Sequence, residues 1–273
     1  MSADLGRGED VTRFQSVDQT NDPAFFVQFL KASTGLDSIQ TLRRHMAAQL
    51  QIEEGQRLLD VGCGIGDAVQ ALAALVGSTG QVVGVDTSAH LIEEARSRAE
   101  GLNLPVDYRV GDAQRLEFAD HTFDGCRADR VFMYLADPRV ALAEMIRVAR
   151  PGARIVIFDV DWDGVMVHHP ERSLTRKMLQ LGCDRVQQGW IGRQLPALCL
   201  ESRLSEVTCT AHTILPTYAF FTQIYRGLLQ GAQEAGELSD SELTRWWSPL
   251  EEANHKGLFF AAVPGFIVSG RTP

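Results

Sequence analysis

An apolar segment that leads directly into alternating glycines constrains this chain more than any other feature. Residues 58–61 have the composition of a buried strand, Gly62, Gly64 and Gly66 follow at alternate positions, and a helical pattern begins immediately afterwards. Glycine permits both the backbone angles of a tight turn and the close approach of backbone N–H groups to a ligand at a helix N-terminus. The turn therefore predicts a site for a nucleotide-like ligand.

The residues around the glycines restrict which nucleotide this turn can hold. A dinucleotide-binding turn has its third glycine three positions after the second, and Asp67 occupies that position here. A carboxylate would repel a pyrophosphate, so NAD and FAD are disfavoured. A P-loop requires a Gly-Lys-Ser/Thr sequence, and the chain has no lysine between Lys31 and Lys177. ATP chemistry of that type is excluded.

A carboxylate at the end of the next predicted strand adds a second element of the site. Residues 81–86 form an apolar run that ends at Asp86, twenty residues after Gly66. In doubly wound folds an acid at this distance accepts hydrogen bonds from ribose hydroxyls. The alternative is that Asp86 caps a helix or a turn before Thr87 and Ser88. Together with the glycine turn, the ribose role is the favoured interpretation.

Five ordered motifs between residues 40 and 160 resemble those of the class I S-adenosylmethionine-dependent methyltransferases. They are DVGCGIG at 60–66, the acidic strand end at 86, VGDA at 110–113, FDGC at 123–126 with LADP at 135–138, and RVARPG at 147–152. The resemblance implies that S-adenosylmethionine is the cofactor and S-adenosylhomocysteine the product. The cofactor contacts that it implies are Asp60, Gly62, Gly64, Gly66, Asp86, Thr87, Gly111, Asp112, Ala113, Asp129 and Arg130.

Arg130 has two interpretations at this point. It directly follows Asp129 at the end of the predicted fourth strand, where its guanidinium could pair with the methionyl carboxylate of the cofactor. The alternative is an ion pair with Asp129 or Asp112. The sequence leaves both open.

Strands and helices alternate after residue 50, which predicts parallel strands joined by right-handed crossovers. The predicted fold is α/β: a doubly wound, mostly parallel, Rossmann-like sheet of seven strands with an antiparallel last strand and helical lid elements. We expect a helical lid segment at residues 1–50, a cofactor-binding core at 51–162, and substrate-covering helices with the final strands at 163–273. Residues 1–21 are polar and are expected to be loose. Asp22-Pro23 and Asp137-Pro138 predict helix starts, and two helices are expected around residues 189–196.

Charge and composition limit the partners. The formal net charge is −9, and no cluster of Lys and Arg is available to neutralise phosphates, so nucleic acid is not expected as a partner. No stretch approaches the length of a membrane span, and the first residues carry no signal peptide pattern. We expect a cytoplasmic protein without a membrane partner that acts on a small molecule; its oligomeric state, a homodimer included, is left open. No CxxC pair or His cluster occurs, and no metal site is predicted.

A general base is required only if the acceptor must lose a proton, because the methyl carbon of a sulfonium is already electrophilic. The candidates for catalytic residues are Asp161, His168 and His169, which follow the predicted fifth strand. Adjacent histidines before a proline are also common in exposed loops. His212 lies within a strand pattern and is interpreted as structural, and His255 as a cap at a helix C-terminus.

The acceptor is expected to be small, and apolar or aromatic. Aromatic walls suit flat acceptors, and the candidates are Tyr134, Trp162, Trp190 and Tyr225. The second half of the chain resembles methyltransferases that act on quinones and polyketide-like metabolites of secondary metabolism. The leading hypothesis is methyl transfer to an O, N or C atom of such a molecule. A cyclase or pericyclase that binds S-adenosylmethionine without methylating is the alternative, and an NAD-dependent oxidoreductase is disfavoured by Asp67.

Overall fold

The computed structural model describes residues 10–273, which fold around one mixed sheet. Its strands are β1 (Arg57–Val61), β2 (Gln81–Asp86), β3 (Val106–Val110), β4 (Phe123–Asp129), β5 (Ala149–Val160), β6 (Met166–Val167), β7 (Ser205–Ile214) and β8 (Ala261–Arg271). The strand order is β3-β2-β1-β4-β5-β8, and both β6 and β7 pair with β8.

The pairing confirms the predicted doubly wound fold. Strands β1 to β5 are parallel to one another, whereas β8 runs antiparallel to β5 and β7. The two-residue β6 adds one strand to the seven predicted. Strand order reverses between β1 and β4, and ligands of such sheets bind beyond the carboxyl ends of the strands at this point.

Nine α-helices occur within residues 10–273. They are α1 (Pro23–Thr34), α2 (Asp37–Leu50), α3 (Asp67–Val76), α4 (Ala89–Ala99), α5 (Pro138–Val148), α6 (Arg172–Asp184), α7 (Ile191–Glu201), α8 (Tyr218–Glu234) and α9 (Asp240–His255). The predicted starts at Asp22-Pro23 and Asp137-Pro138 are confirmed, because each aspartate caps its helix and each proline lies at the first helical position. None of these helices is both long and apolar enough to cross a membrane.

Buried residues on both faces of the central strands form the core. Every residue of β1 after Arg57 is buried, as are the last six residues of β5. Ile39, Leu42 and Met46 on α2 are fully buried, and α2 contacts β4 and β5. The core therefore holds the carboxyl ends of β1, β2 and β4 in fixed positions.

The N-terminal segment is more ordered than its composition suggests. Residues 1–9 lie outside the described part of the chain. Val11–Gln19 forms a 3-10 helix, whereas the polar sequence of 1–21 predicted a loose segment. Val11 and Val17 are buried, and burial of these apolar side chains stabilises the segment against the body. Of the two helices expected around residues 189–196, the second, α7, begins at Ile191 and includes Pro196.

Candidate functional site

The glycine turn between β1 and α3 has the geometry that its sequence requires. Gly62, Gly64 and Gly66 have φ values of 69°, 53° and 81°, in the left-handed region that side chains disfavour. A Cβ on Gly62 would overlap Val131, and one on Gly66 would lie 2.6 Å from the hydroxyl of Tyr108. The turn therefore tolerates no side chain at these two positions without local rearrangement.

Asp86 ends β2 beside this turn and already holds two backbone groups. Its Oδ2 accepts the N–H of Gly64 at 2.9 Å, and its Oδ1 accepts the N–H of Ser88 at 3.0 Å. Burial raises the pKa of Asp86, against the effect of these two donors. Each carboxylate oxygen can accept a second hydrogen bond, so the group can still bind a vicinal diol such as that of a ribose.

A cavity opens at the carboxyl ends of the strands and brings most of the predicted cofactor residues together. The empty space in it is about 1180 Å³ when its opening to solvent is included. Asp60 lines a smaller neighbouring cavity. Gly64 and Gly66 belong to the glycine turn but are not among the residues that line the main cavity. The predicted residues that line the main cavity are Gly62, Asp86, Thr87, Gly111, Asp112, Ala113, Asp129 and Arg130.

Three arginines and two aspartates form a charged cluster beside the glycine turn: Arg43, Arg127, Arg130, Asp60 and Asp129. Arg130 pairs with Asp129 at 2.9 Å, and Arg127 contacts Asp129 at 3.2 Å and Asp60 at 3.5 Å. Burial by itself would raise the pKa of Asp129, but Arg130 and Arg127 outweigh it and hold the pKa at about 2. Burial raises the pKa of Asp60 to about 6, with Arg127 opposing the rise.

This charged cluster fits the amino-acid end of S-adenosylmethionine. The Nε atom of Arg43 is buried and has no hydrogen-bond partner among residues 10–273, and the side chains of Arg43 and Arg127 border the smaller cavity with Asp60 and Arg130. Guanidinium donors bind carboxylates strongly, and a carboxylate such as Asp60 binds an ammonium group. Within the described residues, no group of three or more His, Cys, Asp or Glu side chains could hold a metal ion.

Arg130 is held in an uncommon backbone conformation at the edge of the cavity. Its φ is 58°, a left-handed value that few non-glycine residues adopt. The guanidinium donates to Asp129 and, at 3.0 Å, to the hydroxyl of Ser33 on α1. Of the two ion pairs considered from the sequence, the structure contains the one with Asp129. Arg130 also lines both cavities, so its guanidinium stays close to the candidate carboxylate site.

Most of the other residues that line the main cavity are aromatic or aliphatic. Phe29 stacks on Phe220 with ring centroids 4.9 Å apart, and Phe14 contacts Phe29 at 5.7 Å and Tyr134 at 5.6 Å. Trp162 completes the aromatic wall. The aliphatic lining residues are Val160, Ile214, Pro216, Ile224 and Val263. We call this region the acceptor end, because its walls suit a flat apolar molecule.

The three predicted catalytic residues are not among those that line the cavity. Asp161 is buried and forms a bidentate ion pair with Arg193, with Nε donating to Oδ2 at 2.5 Å. His168 is exposed. The ring of His169 packs 4.9 Å from that of Trp246, and its Nδ1 accepts a backbone N–H. Chain proximity to β5 brought these residues into the sequence hypothesis, but their side chains are engaged elsewhere or exposed.

The four aromatic wall candidates divide evenly. Tyr134 and Trp162 line the cavity. Trp190 is 53% exposed, and Tyr225 is fully buried against Phe221 at 4.5 Å. The latter two therefore contribute to the surface and to the core respectively.

Asp18 is a structural element of the site that the sequence analysis missed. Its carboxylate accepts hydrogen bonds from the hydroxyl of Ser88 at 2.5 Å and from the N–H groups of Ala89 and His90 at 2.7 and 3.3 Å. It thereby fastens the 3-10 helix to the N-terminus of α4, two residues beyond Asp86. An aspartate within a polar segment is too common to signal such a contact, although the lone aromatic Phe14 beside it is a hint of burial.

Comparison with known proteins identifies relatives over much of the chain. A family model described as a methyltransferase domain matches residues 52–232. The chain is 34% identical over 247 residues to an uncharacterised protein of a Streptomyces fradiae transposon, covering 89% of this chain and 70% of that protein. It is 38% identical over 133 residues to a 2-phytyl-1,4-naphtoquinone methyltransferase of Synechococcus elongatus, covering 48% and 54%. The matches to relatives that are named as methyltransferases span about half of each relative's length.

Solved structures share the architecture. The YcgJ protein of Bacillus subtilis superposes with a TM-score of 0.59 at 20% identity, covering 85% of this chain and 98% of that one. The [4+2]-cyclase SpnF gives a TM-score of 0.54 at 20% identity, covering 85% and 81%. At this level of identity the likeness shows the fold, and it confirms the Rossmann-like architecture.

Proposed function

Because the chain belongs to the methyltransferase-domain family and is a class I S-adenosylmethionine-dependent enzyme, we propose that it methylates a small, apolar or aromatic metabolite. The observation that carries this proposal is one cavity with two kinds of lining residue. Three carboxylates and one arginine form the charged part of the lining, and most of the other lining residues are aromatic or aliphatic. A polar, cationic cofactor suits the first, and an apolar acceptor suits the second.

We assign the cofactor contacts as follows. The free lone pairs of Asp86 accept hydrogen bonds from the ribose hydroxyls. Gly111, Asp112 and Ala113 lie against the adenine, an assignment that comes from the resemblance of their motif to that of the family. The charged cluster holds the amino-acid end, with its arginines toward the carboxylate and Asp60 toward the ammonium. Bound in this way, S-adenosylmethionine supplies an electrophilic methyl group. The remaining work of the protein is to orient the acceptor and to exclude water.

Water exclusion falls to the N-terminal segment in this proposal. Val11, Phe14 and Gln15 from the 3-10 helix line the cavity beside Phe29 and Leu30 from α1. Of the expected lid segment 1–50, the described residues 10–50 thus act as a lid over a cofactor-binding core at 51–162, and residues 163–273 cover the acceptor. The contact of Asp18 with the start of α4 fastens this lid next to the ribose site.

The test combines binding with product analysis. Calorimetry should give micromolar binding of S-adenosylmethionine and S-adenosylhomocysteine and none of NAD. Incubation with methyl-labelled cofactor and a panel of hydroxyquinones and phenols should transfer the label to an acceptor and form S-adenosylhomocysteine. Binding of NAD in place of the two adenosyl compounds would overturn the assignment.

A cyclase that uses the sulfonium only as a positive charge is the second candidate. It is favoured by the acceptor end, where the described residues supply aromatic walls and no evident proton acceptor, and SpnF shows that a [4+2]-cyclase can have this fold. Product mass separates the two. A cyclase converts its substrate without the added mass of a methylene and without consuming S-adenosylmethionine.

A further inference from the structure

The acceptor end has no side chain among residues 10–273 that is suited to take a proton from the substrate at neutral pH. The charged residues that line the cavity are Asp86, Asp112, Asp129 and Arg130, and Arg130 lies close enough to Tyr134 for its charge to act on that hydroxyl. Asp86 accepts two backbone N–H groups, and Asp112 accepts one at 2.8 Å. Two arginines hold the pKa of Asp129 at about 2 against the effect of burial, which makes it a very weak base.

The titratable groups behind the walls also have hydrogen-bond partners. Asp10, whose charge acts on Tyr134, accepts the N–H of Thr12 at 2.8 Å and is not among the residues that line the cavity. Asp159 is fully buried, and burial raises its pKa to about 7. Its two oxygens accept the N–H groups of Met133 at 3.1 Å and Val160 at 3.0 Å, so it supports the wall and does not line the cavity. His212 Nε2 lies 2.8 Å from the carbonyl oxygen of Ser38, and burial lowers its pKa.

Tyr134 is the hydroxyl that the acceptor end presents. It lines the cavity, and its hydroxyl forms no hydrogen bond with any other residue from 10 to 273, whereas its backbone N–H donates to the carbonyl oxygen of Val131 at 3.0 Å. Burial raises its pKa far above the ordinary value, so it is neutral and can donate a hydrogen bond. The neighbouring indole N–H of Trp162 is already donated to the sulfur of Met133 at 3.2 Å. Tyr134 can therefore orient an oxyanion by donating a hydrogen bond to it, but it cannot take the proton from a neutral acceptor.

The lack of a suitable base among residues 10–273 limits which acceptors can react quickly. A positioned general base contributes a factor of about 10² to 10⁴ when a proton must leave in the transition state. An acceptor that is already an anion needs no such help. The negative charge of the acceptor and the positive charge of the sulfonium attract each other strongly in surroundings of low dielectric constant. Methyl transfer neutralises both charges.

We propose, on the basis of the function above, that the natural acceptor is the ionised form of an acidic enol or phenol on a flat ring, oriented by the hydroxyl of Tyr134. The electron pair of the oxyanion forms the new O–C bond, and the C–S bond breaks with its electrons passing to sulfur. A neutral methyl ether and neutral S-adenosylhomocysteine result. No proton is transferred to or from the protein.

The test is a pH profile over a panel of naphthols and hydroxynaphthoquinones of matched size, with hydroxyl pKa values from well below to well above neutrality. For the acidic members, kcat/KM should be constant between about pH 6 and pH 9. For the weakly acidic members it should rise about tenfold per pH unit up to the acceptor's own pKa. A plateau below that pKa, set by a group on the protein, would overturn the inference.

Variants separate the roles of the neighbouring groups. Tyr134→Phe should lower kcat/KM for ionised acceptors about ten- to hundredfold, the effect of losing a hydrogen bond to a charged atom, and should leave the shape of the pH profile unchanged. Tyr218→Phe, a partly buried tyrosine that packs on Phe259 outside the cavity, is the matched control and should behave as the unmodified protein. Asp159→Asn should have the same pH profile as the unmodified protein. If the unmodified protein instead shows a plateau near pH 7 that Asp159→Asn lacks, Asp159 is the base.

Failure of the inference and failure of the proposed function are distinguishable. Efficient methylation of weakly acidic phenols with a protein-dependent plateau overturns the inference alone. Cofactor binding without methylation of any panel member, acidic members included, overturns both. Methylation confined to members that are ionised at the assay pH supports both.

Discussion

Replacement of Asp86 by asparagine tests the centre of the site with little change in side-chain volume. The carboxylate holds Gly64 N–H and Ser88 N–H on different oxygens, and in our assignment its other lone pairs accept the ribose hydroxyls. An amide keeps one acceptor and replaces the other by a donor. Whichever way the amide turns, one backbone N–H loses its partner and the ribose loses at least one charged acceptor.

The magnitude follows from these contacts. Loss of a hydrogen bond to a charged group costs about 1.5–3 kcal/mol, so the dissociation constant for S-adenosylhomocysteine should rise about ten- to 150-fold. The unpaired N–H should lower the free energy of unfolding by about 1–3 kcal/mol. Removal of the buried charge offsets part of that loss, because burial already disfavours ionisation of Asp86.

Isothermal calorimetry and urea unfolding measure the two effects separately. Asp107→Asn on the adjacent strand β3, whose partner is the exposed Arg109, is the matched control and should change neither quantity measurably. A cofactor analogue without the 2′- and 3′-hydroxyls should bind Asp86→Asn and the unmodified protein equally. Unchanged affinity for S-adenosylhomocysteine in a folded Asp86→Asn protein would refute the ribose assignment.

Three further predictions concern the turn, the lid and the charged cluster. Gly62→Ala should destabilise the fold by about 2–4 kcal/mol from its left-handed φ and its overlap with Val131; in urea unfolding, adding Val131→Ala should recover part of the loss, and strict additivity would contradict the overlap. Asp18→Asn should speed dissociation of S-adenosylhomocysteine in stopped-flow measurements by freeing the lid, with Asp22→Asn, a cap that does not touch α4, as the control; equal rates in the two variants would exclude the fastening role. Burial holds the pKa of Asp60 at about 6, and the ammonium requires its ionised form, so affinity for S-adenosylhomocysteine should fall about tenfold per pH unit below about pH 6. Calorimetry with methylthioadenosine, which lacks the amino-acid end, should show no such dependence, and a parallel fall for both ligands would contradict the assignment.

The cofactor end could be predicted from the sequence because its parts are local. The turn from 62 to 66 needs glycine for reasons of backbone angle and contact, and Asp86 follows at a spacing that the crossover between β1 and β2 imposes. Short-range geometry of this kind leaves a pattern in consecutive residues. The fold class followed from the same alternation of strands and helices.

The acceptor end could not be predicted, because it is assembled from distant segments. The cavity is lined by Phe14, Phe29, Tyr134, Trp162 and Phe220, yet no periodicity distinguishes them from core aromatics such as Phe221 and Tyr225. The expected bases failed to reach the cavity for a related reason. Because His168 follows β5 in the chain, the sequence predicted it near the carboxyl ends of the strands. In the structure, β6, which directly precedes His168, pairs with β8, and His168 is exposed at the surface.

The separation of the two ends along the chain bears on how new specificities can arise. The groups assigned to the cofactor lie chiefly between residues 60 and 130, whereas the acceptor walls come from the N-terminal segment and from positions beyond 131. Wall residues such as Phe220 or Ile214 can consequently be exchanged between relatives while the sugar and amino-acid contacts stay intact. Libraries restricted to these outer segments are the natural starting point for retargeting the protein to unfamiliar compounds.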